Sequence, residues 1–489
     1  MMSRSNTFFS IFIVAIYTLP FILSPVAYQD DIGRTIWGYY DWESNGRPLA
    51  TLSMQIINFF VNVFNLSPLY IIIGLIAYIY SFERSCTYIF NDNRIVISLS
   101  CLVAIASPFF LENLAYNFDS MTMLFSVSLA FLSAFSRKEG RSRVLFQSFL
   151  ILAMLSLYQA TINLYIILVV VSYIAGVNRN SNHAHLIKTH LESIASLAIA
   201  YVFYSLVIAK HFVKLEYNIT HSQTTFNISD ISQNIHSFIE LIGPLLGGSS
   251  SRVIFIFTLS VILLSSVVSS FKVFKHKALT ALTVVNVLIL ILAPILSLYF
   301  VIGSLAFLKF PVFSPRVLIG GVGYMFLFSY SAYNLTRHYN KAVLYFTLLT
   351  LPVLLFCFNL CYTYNYALKD QARLESSISD QISYRLFDAG FKPNADKLII
   401  VGSEPRTIVS INAIMRIPYL EKVLPLYFYG NNPFGFIKLR QTYFLRDINI
   451  TDKKTLDEGM SHFHGAKGIS RTEYFSVLKF EDFYFIHFN

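Results

Sequence analysis

The sequence predicts a mostly α-helical polytopic membrane protein of about eleven transmembrane helices, followed by a small soluble α/β domain at the C-terminus. Three observations carry that reading. Charged residues make up 13% of the 489 positions, against roughly 25% in soluble domains, and the mean hydropathy is +0.57. Apolar runs recur along most of the chain, many of them near the roughly 20 helical residues that a bilayer core of about 30 Å requires. Charge then returns abruptly. Residues 1–364 hold 21 Lys+Arg and 13 Asp+Glu, or 34 of 364, whereas residues 365–489 hold 16 and 14, or 30 of 125. The first region reads as the membrane domain, and the second has the composition of a water-soluble domain large enough for its own core. A single soluble domain and a disordered chain are excluded, and the recurrence of apolar runs argues against a secreted protein with one removable signal peptide.

The apolar runs fall at about 8–27, 66–82, 95–111, 120–136, 144–158, 161–177, 191–209, 253–271, 279–302, 317–334 and 343–361. Segment 48–64 is apolar but carries Gln55, Asn58 and Asn62, and reads as an interfacial or partly inserted helix. With the N-terminus in the cytoplasm, the inside loops hold fourteen Lys+Arg, among them Arg137, Lys138, Arg141, Arg143 and Lys277. The outside loops before the tail hold six. The positive-inside rule therefore favours a cytoplasmic N-terminus and, with an odd number of spans, a periplasmic tail. This distribution accounts for the net charge of +10, so no nucleic-acid partner is expected.

Several motifs are weighed and set aside. Cys357 and Cys361 sit four apart on one apolar run and read as packing rather than as a metal site. His183, His185 and His190 fall in an inside loop, where solvation is the plainer reading. Gly320, Gly321 and Gly323 suit close helix packing. Asn218-Ile-Thr220, Asn227-Ile-Ser229 and Asn449-Ile-Thr451 match a glycosylation triplet that is common by chance. There is no phosphate-binding P-loop, no dinucleotide fingerprint and no repeat of solenoid length.

The acidic residues are more informative. Nine of the thirteen before the tail fall at the outer surface under this topology, and four crowd into one stretch of the first outside loop: Asp30, Asp31, Asp41 and Glu43. Arg34, Arg47, Tyr39, Tyr40 and both tryptophans, Trp37 and Trp42, share the segment. An aromatic belt on a solvated loop is one reading. The other is a reaction site, where a carboxylate serves as general base, arginines clamp a phosphate and rings stack on sugar faces. If residues 32–41 are helical, Asp31, Arg34 and Gly38 share a face. Three further patches lie at the same surface. Glu112-Asn113 leads to Asn117-Phe-Asp119, where Asp119 either caps a helix or serves chemistry. Tyr158-Gln159 forms a turn, where Gln159 either satisfies backbone groups or contacts substrate. Phe313-Ser-Pro315-Arg316 precedes a span, where Arg316 either snorkels to the surface or holds an anionic group. Carboxylates and cations at this level suit the transfer of a sugar from a lipid phosphate: the departing phosphate needs cations and the attacking hydroxyl needs a base.

The run Asp30-Asp31-Ile-Gly-Arg34, with Gly38-Tyr-Tyr, Trp42-Glu43 and Asn45-Gly46-Arg47-Pro48-Leu49, resembles the start of the type II O-antigen glucosyltransferases, the phage-encoded serotype-converting enzymes of enteric bacteria and their relatives. The match is strongest over the first 65 residues, with weaker support from Asn117-Phe-Asp119 and Tyr158-Gln159. The resemblance implies a GT-C-like hexosyltransferase of the bacterial inner membrane that modifies a lipopolysaccharide precursor on the periplasmic face. Its donor would be undecaprenyl-phosphate glucose, its acceptor the lipid-linked O-antigen repeat, and its outcome inversion at the anomeric carbon. Carried onto this chain, the catalytic carboxylate would be Asp31 or Asp30, with Glu43 next. Arg34, Arg47 and Arg316 would bind the phosphate. Trp42, Tyr39, Tyr40, Asp119 and Gln159 would contact substrate. No cofactor or metal site is assigned, and a divalent cation stays open. The expected domains are 1–364, with a catalytic first periplasmic loop at 28–65, and a periplasmic domain at 365–489.

Two other readings compete. A carrier or flippase of lipid-linked sugars would hold ionisable groups near the bilayer midplane and often shows paired halves, whereas here charge gathers at one surface. An O-antigen polymerase is also polytopic, but the acidic first loop and the long soluble tail suit a transferase better. In the tail, residues 368–387 read as helix, and 397–401, 474–480 and 483–488 as strands. Tyr427, Phe428 and Tyr429 read as core or as an acceptor groove.

Overall fold

The computed structural model describes residues 4–179, 181–276 and 280–488. Lys277, counted above among the cations expected in inside loops, lies outside them. In chain order the helices are α1 (Arg4–Leu23), α2 (Asp30–Trp37), α3 (Pro48–Ile57), α4 (Leu69–Cys86), α5 (Arg94–Ile105), α6 (Leu111–Ala115), α7 (Asp119–Ala134), α8 (Gly140–Leu157), α9 (Thr161–Asn178) and α10 (His183–Phe203). They continue as α11 (Lys210–Phe212), α12 (Glu216–Ser222), α13 (Ile228–Gly247), α14 (Ser249–His276), α15 (Ala281–Ile302), α16 (Gly320–Thr336) and α17 (Ala342–Asp388). The strands are β1 (Lys397–Val401), β2 (Lys467–Arg471), β3 (Phe475–Phe480) and β4 (Phe483–Phe488). Between β1 and β2 lie α18 (Ile408–Arg416), α19 (Pro433–Leu439) and α20 (Lys453–His462).

The chain divides into two compact units, one of residues 1–25 and 40–362 and the other of residues 26–39 and 363–489. The segment expected to form the first outside loop is therefore divided: residues 26–39 group with the C-terminal residues.

In the first unit, seven described helices are long and apolar enough to cross a membrane. The count is eight if α5 and the stretch Pro108–Ala115, bent from it by 58°, form one broken span. The other expected spans fall on shorter apolar stretches. Residues 8–27 map to α1, whose apolar part is Thr7–Leu23, 120–136 to the 16-residue α7 and 317–334 to the 17-residue α16. The shortfall from eleven has a physical source. α7 is buried along nearly its whole length and carries Ser120, Thr122, Ser126, Ser128 and Ser133. A helix surrounded by other helices needs less apolar surface than one facing lipid, and small polar side chains help neighbours to close in. Ser126 Oγ, for example, donates to Thr161 Oγ1 on α9 at 2.8 Å. Gly74 lets α4 approach α7, since a Cβ there would meet Leu124 at 2.7 Å. Segment 48–64 contains only the ten-residue α3, begun by Pro48, where a missing N–H costs nothing.

In the second unit the sheet order is β1-β4-β3-β2, with β1 parallel to β4 and the other pairs antiparallel. Side chains alternate across a strand. Leu398 and Ile400 pack with Ile378, Ile382 and Leu386 of α17, while Ile399, Phe483 and Phe485 pack on the other face with Leu456 of α20 and Phe463. β2 went unread in the sequence because Lys467, Gly468 and Arg471 give it no apolar pattern; it is an edge strand, where charge discourages further pairing. The helix expected at 368–387 is the polar continuation of α17, which runs 47 residues without interruption. Tyr362 to Ala367 contains neither Gly nor Pro, so nothing ends the helix where its hydropathy falls.

Candidate active site

Asp119 is the first residue of α7, where a carboxylate faces the positive end of the helix dipole. It is buried, and Trp42 Nε1 donates to its Oδ1 at 2.6 Å. Arg47 Nη1 lies 3.7 Å from the same oxygen. Trp42 is held by Ala50 and Met54 of α3 and by Phe118 and Met121 flanking Asp119. Apolar packing thus aims the indole N–H.

Arg47 then links three elements. Its Nε donates to Gln159 Oε1 at 3.1 Å, and its guanidinium carbon lies 4.4 Å from the centre of the Tyr158 ring, a cation–π distance. Gln159 returns its amide to the first loop: Nε2 donates to Asn45 O at 2.7 Å and to Tyr204 Oη at 2.8 Å. Tyr204 in turn donates to Gly46 O at 2.9 Å. Gly46 has φ +75°, and a Cβ there would lie 2.4 Å from Tyr204 Oη, so both backbone hand and space require glycine. Glu43 is half-buried and accepts a short hydrogen bond from Thr51 Oγ1, which also receives the Glu43 N–H at 3.0 Å. Tyr40 stacks obliquely on Trp42, with ring centres 6.3 Å apart, and its hydroxyl bonds Val61 O.

Arg316 adjoins this network through Tyr158, whose hydroxyl donates to Arg316 O at 3.1 Å. The Arg316 N–H donates to Glu112 Oε2 at 2.7 Å, Ser314 Oγ donates to the same carboxylate, and Asn113 Nδ2 donates to Arg316 O at 2.9 Å. The guanidinium bonds Tyr116 Oη, with its carbon 5.1 Å from that ring centre. The turn before α16 is thereby pinned to the bent α5–α6 region, and the two arginines flank one tyrosine.

Within this unit the fold gathers Tyr40, Trp42, Glu43, Arg47, Asp119, Gln159 and Arg316 at one end of the bundle. The remaining sequence candidates, Asp30, Asp31, Arg34 and Tyr39, belong to the second unit. There Asp31 is fully buried and its Oδ2 accepts from Tyr28 N at 3.1 Å. Tyr28 Oη donates to Val423 O at 3.1 Å, and Gln29 N donates to Tyr427 Oη at 2.9 Å. Arg34 is buried, with its guanidinium carbon 5.6 Å from the Tyr39 ring centre. Arg440 covers Trp37 at 5.3 Å. Asp31 and Arg34 do share one face of α2, and that face is buried.

Sequence reading missed Thr51, Tyr204 and Asn218. Tyr204 sits in an apolar run, at the start of a π-helical turn, and carries no sequence signal. Asn218 matched a glycosylation triplet, yet its Nδ2 donates to Ser44 O at 2.8 Å. Among the described residues, no three His, Cys, Asp or Glu side chains are grouped to hold a metal ion.

Long apolar helices with a charged network at one end define a polytopic membrane protein that keeps its polar chemistry at a bundle end. Comparison with known proteins makes this specific. The family model described as glucosyl transferase GtrII matches residues 19–330, a stretch that contains every candidate residue above. An uncharacterized 55.3 kDa protein in the gtrB 5′ region of Salmonella phage P22 is 30% identical over 464 residues, covering 92% of this chain and 93% of that one. No solved structure matches. The chain belongs to the GtrII glucosyl transferase family, and its activity class is glycosyl transfer.

Proposed function

We propose that the chain moves glucose from undecaprenyl-phosphate glucose onto the lipid-linked O-antigen repeat at the periplasmic face of the bacterial inner membrane, with inversion at the anomeric carbon. In this reading α1, α7 and α16 also cross the membrane, the N-terminus is cytoplasmic and the C-terminal unit is periplasmic. The supporting observation is the network of Trp42, Arg47, Asp119 and Gln159, which ties the first loop to the start of α7 and to the α8–α9 turn. Arg47 and Arg316 take the departing phosphate, whose charge they neutralise without a proton donor. Asp119 and Gln159 orient Arg47, Trp42 holds Asp119 from within the core, and the partly exposed Tyr40 offers a ring face to a hexose.

The acceptor hydroxyl needs one carboxylate base. Glu43 is placed first because it is half-exposed in the turn between Trp42 and Arg47. Asp30, partly exposed, comes next. Asp31 has its carboxylate buried against the backbone N–H of Tyr28, and with Arg34 and Tyr39 it serves this reading by shaping the loop. The test is transfer of radiolabelled glucose from the polyprenyl phosphate to O-antigen in membranes. Glu43→Gln should lower the rate by about 10²–10⁴-fold with normal protein abundance. Arg47→Gln should lower it by about 10²–10³-fold. Wild-type rates in both variants would overturn the assignment, and movement of intact lipid-linked sugar without glucosyl transfer would favour a carrier.

A further inference from the structure

α7 runs sixteen residues from Asp119 to Ala134, about 24 Å at 1.5 Å per residue. At its far end the first unit has a polar cavity of about 240 Å³, between the ends of α4 and α9, the α7–α8 connection and the first turns of α10. Arg137, Lys138, Arg143, His185 and His190 line it against one carboxylate, Glu139, which lies 3.9 Å from His185. Tyr88 on its wall carries two guanidiniums, Arg179 at 3.8 Å and Arg137 at 5.8 Å from the ring centre. Glu192, on the opposite flank of α10, also acts on Arg143, and cations still predominate.

The cavity wall holds polar atoms that the protein does not satisfy. Arg143 is 7% exposed. Its Nη1 donates to Ser136 O at 2.9 Å and Nη2 to Ser193 Oγ at 3.2 Å, while its Nε is buried without a hydrogen-bond partner. The same holds for Ser85 Oγ on α4 and His190 Nε2 on α10. Buried polar atoms are normally paired; Glu192 Oε2, beside Arg143, is likewise buried without a partner, so it is the excess of cations in the cavity lining, Arg137, Lys138 and Arg143 against Glu139, that points to an anionic occupant. His190 gives its Nδ1 proton to Leu186 O at 2.7 Å. In the neutral ring Nε2 is therefore an acceptor; like Arg143 Nε and Ser85 Oγ it is buried behind the cavity surface, and the cations that an occupant meets first are the exposed Arg137 and Lys138.

We propose that this cavity binds a phosphate-bearing anion, supplied either as the headgroup of an anionic phospholipid or as free phosphate. Bound there, it would join the α7–α8 connection to α4 and α10 through charge-assisted hydrogen bonds.

The test uses the purified full-length protein and reads thermal unfolding. One arm compares sodium phosphate with sodium chloride at equal ionic strength. The other compares mixed micelles of phosphatidylglycerol with phosphatidylcholine. The expected result is a rise in Tm with phosphate, which identifies the free anion, or with phosphatidylglycerol alone, which identifies the headgroup. Arg143→Gln should abolish the rise. Because Arg143 also holds its loop, the exposed pair Arg137→Gln/Lys138→Gln serves as the decisive variant, and should raise the concentration for half-maximal effect about fivefold. No rise in the wild type in either arm overturns the proposal, as does a double variant that responds like the wild type. The readout is binding, so it stands or falls separately from glucosyl transfer at the other end of α7.

Discussion

Trp42 is fully buried among apolar side chains, yet its one polar atom meets Asp119. Trp42→Phe keeps most of the packing and removes that donor. A hydrogen bond to a charged group is worth about 1.5–3 kcal/mol, so transfer should fall by at least about tenfold while protein abundance is maintained, as measured by initial rates in membranes. Gly46→Ala places a methyl group at positive φ against Tyr204 Oη. It should cost about 1–3 kcal/mol and displace Gln159, visible as a lower Tm together with lost transfer; an unchanged Tm would contradict the geometry. Asp119 and Gln159 were legible in the sequence because a charge or amide at the edge of an apolar run demands a reason. Tyr204 and Thr51 were not, because a tyrosine in an apolar run and a threonine on a short helix look like ordinary packing until their partners, distant in the chain or a turn away, are known.

At the scale of elements, hydropathy located the helices and their packing decided their lengths. Gly320 begins α16 with its hypothetical Cβ 2.2 Å from Phe300 O, a backbone atom that cannot step aside. Gly320→Ala should destabilise by about 1–3 kcal/mol. Gly243 in α13 has nothing within 4 Å of a Cβ, and Gly243→Ala should be neutral or stabilise by about 0.5–1 kcal/mol through helix propensity. Melting both variants in detergent separates the cases, and equal behaviour would remove the close-packing explanation. The glycines were visible in the sequence as a cluster; what each one abuts was not, since Gly320 meets the α15 backbone at Phe300, Gly321 meets Phe109 and Gly323 meets Ile167.

At the scale of the whole molecule, the two units differ in the origin of their cohesion, and the second carries a buried ion pair. Glu375 lies on α17 eleven residues past Tyr364, in its polar continuation beyond the apolar span, and is paired with Lys438 of α19. Burial pushes its carboxyl up to about 8, with Lys438 pulling it back and Glu404 adding to the rise. Glu404, bonded through Oε1 to the N–H groups of Tyr427 and Phe428 at 2.6 and 3.1 Å, is raised by burial as well. A folded-state pKa above the unfolded value of about 4.3 means that the folded form binds more protons between the two. Stability should therefore be greatest below about pH 4.3 for these groups and decline as pH rises toward 8. Hydrogen exchange of residues 363–489 in the full chain, corrected for intrinsic rates, should show less protection at pH 8 than at pH 5.5; the reverse order would refute it. Lys438→Met removes the group that pulls this carboxyl back down, so it should steepen the loss of protection between pH 5.5 and pH 8.

The sequence by itself determined the helical membrane character, the change to a soluble composition near residue 365, three of the four strands and the crowding of carboxylates, arginines and aromatic rings after the first apolar run. Those properties follow from local hydropathy and charge, which act over a few turns of chain. Only the tertiary structure decided that Asp30, Asp31 and Arg34 belong with the C-terminal unit while Glu43 and Arg47 belong with Asp119 and Gln159. Adjacency in sequence places side chains within one loop, but the burial of Trp42 on one side and of Asp31 on the other assigns each half of that loop to a different core.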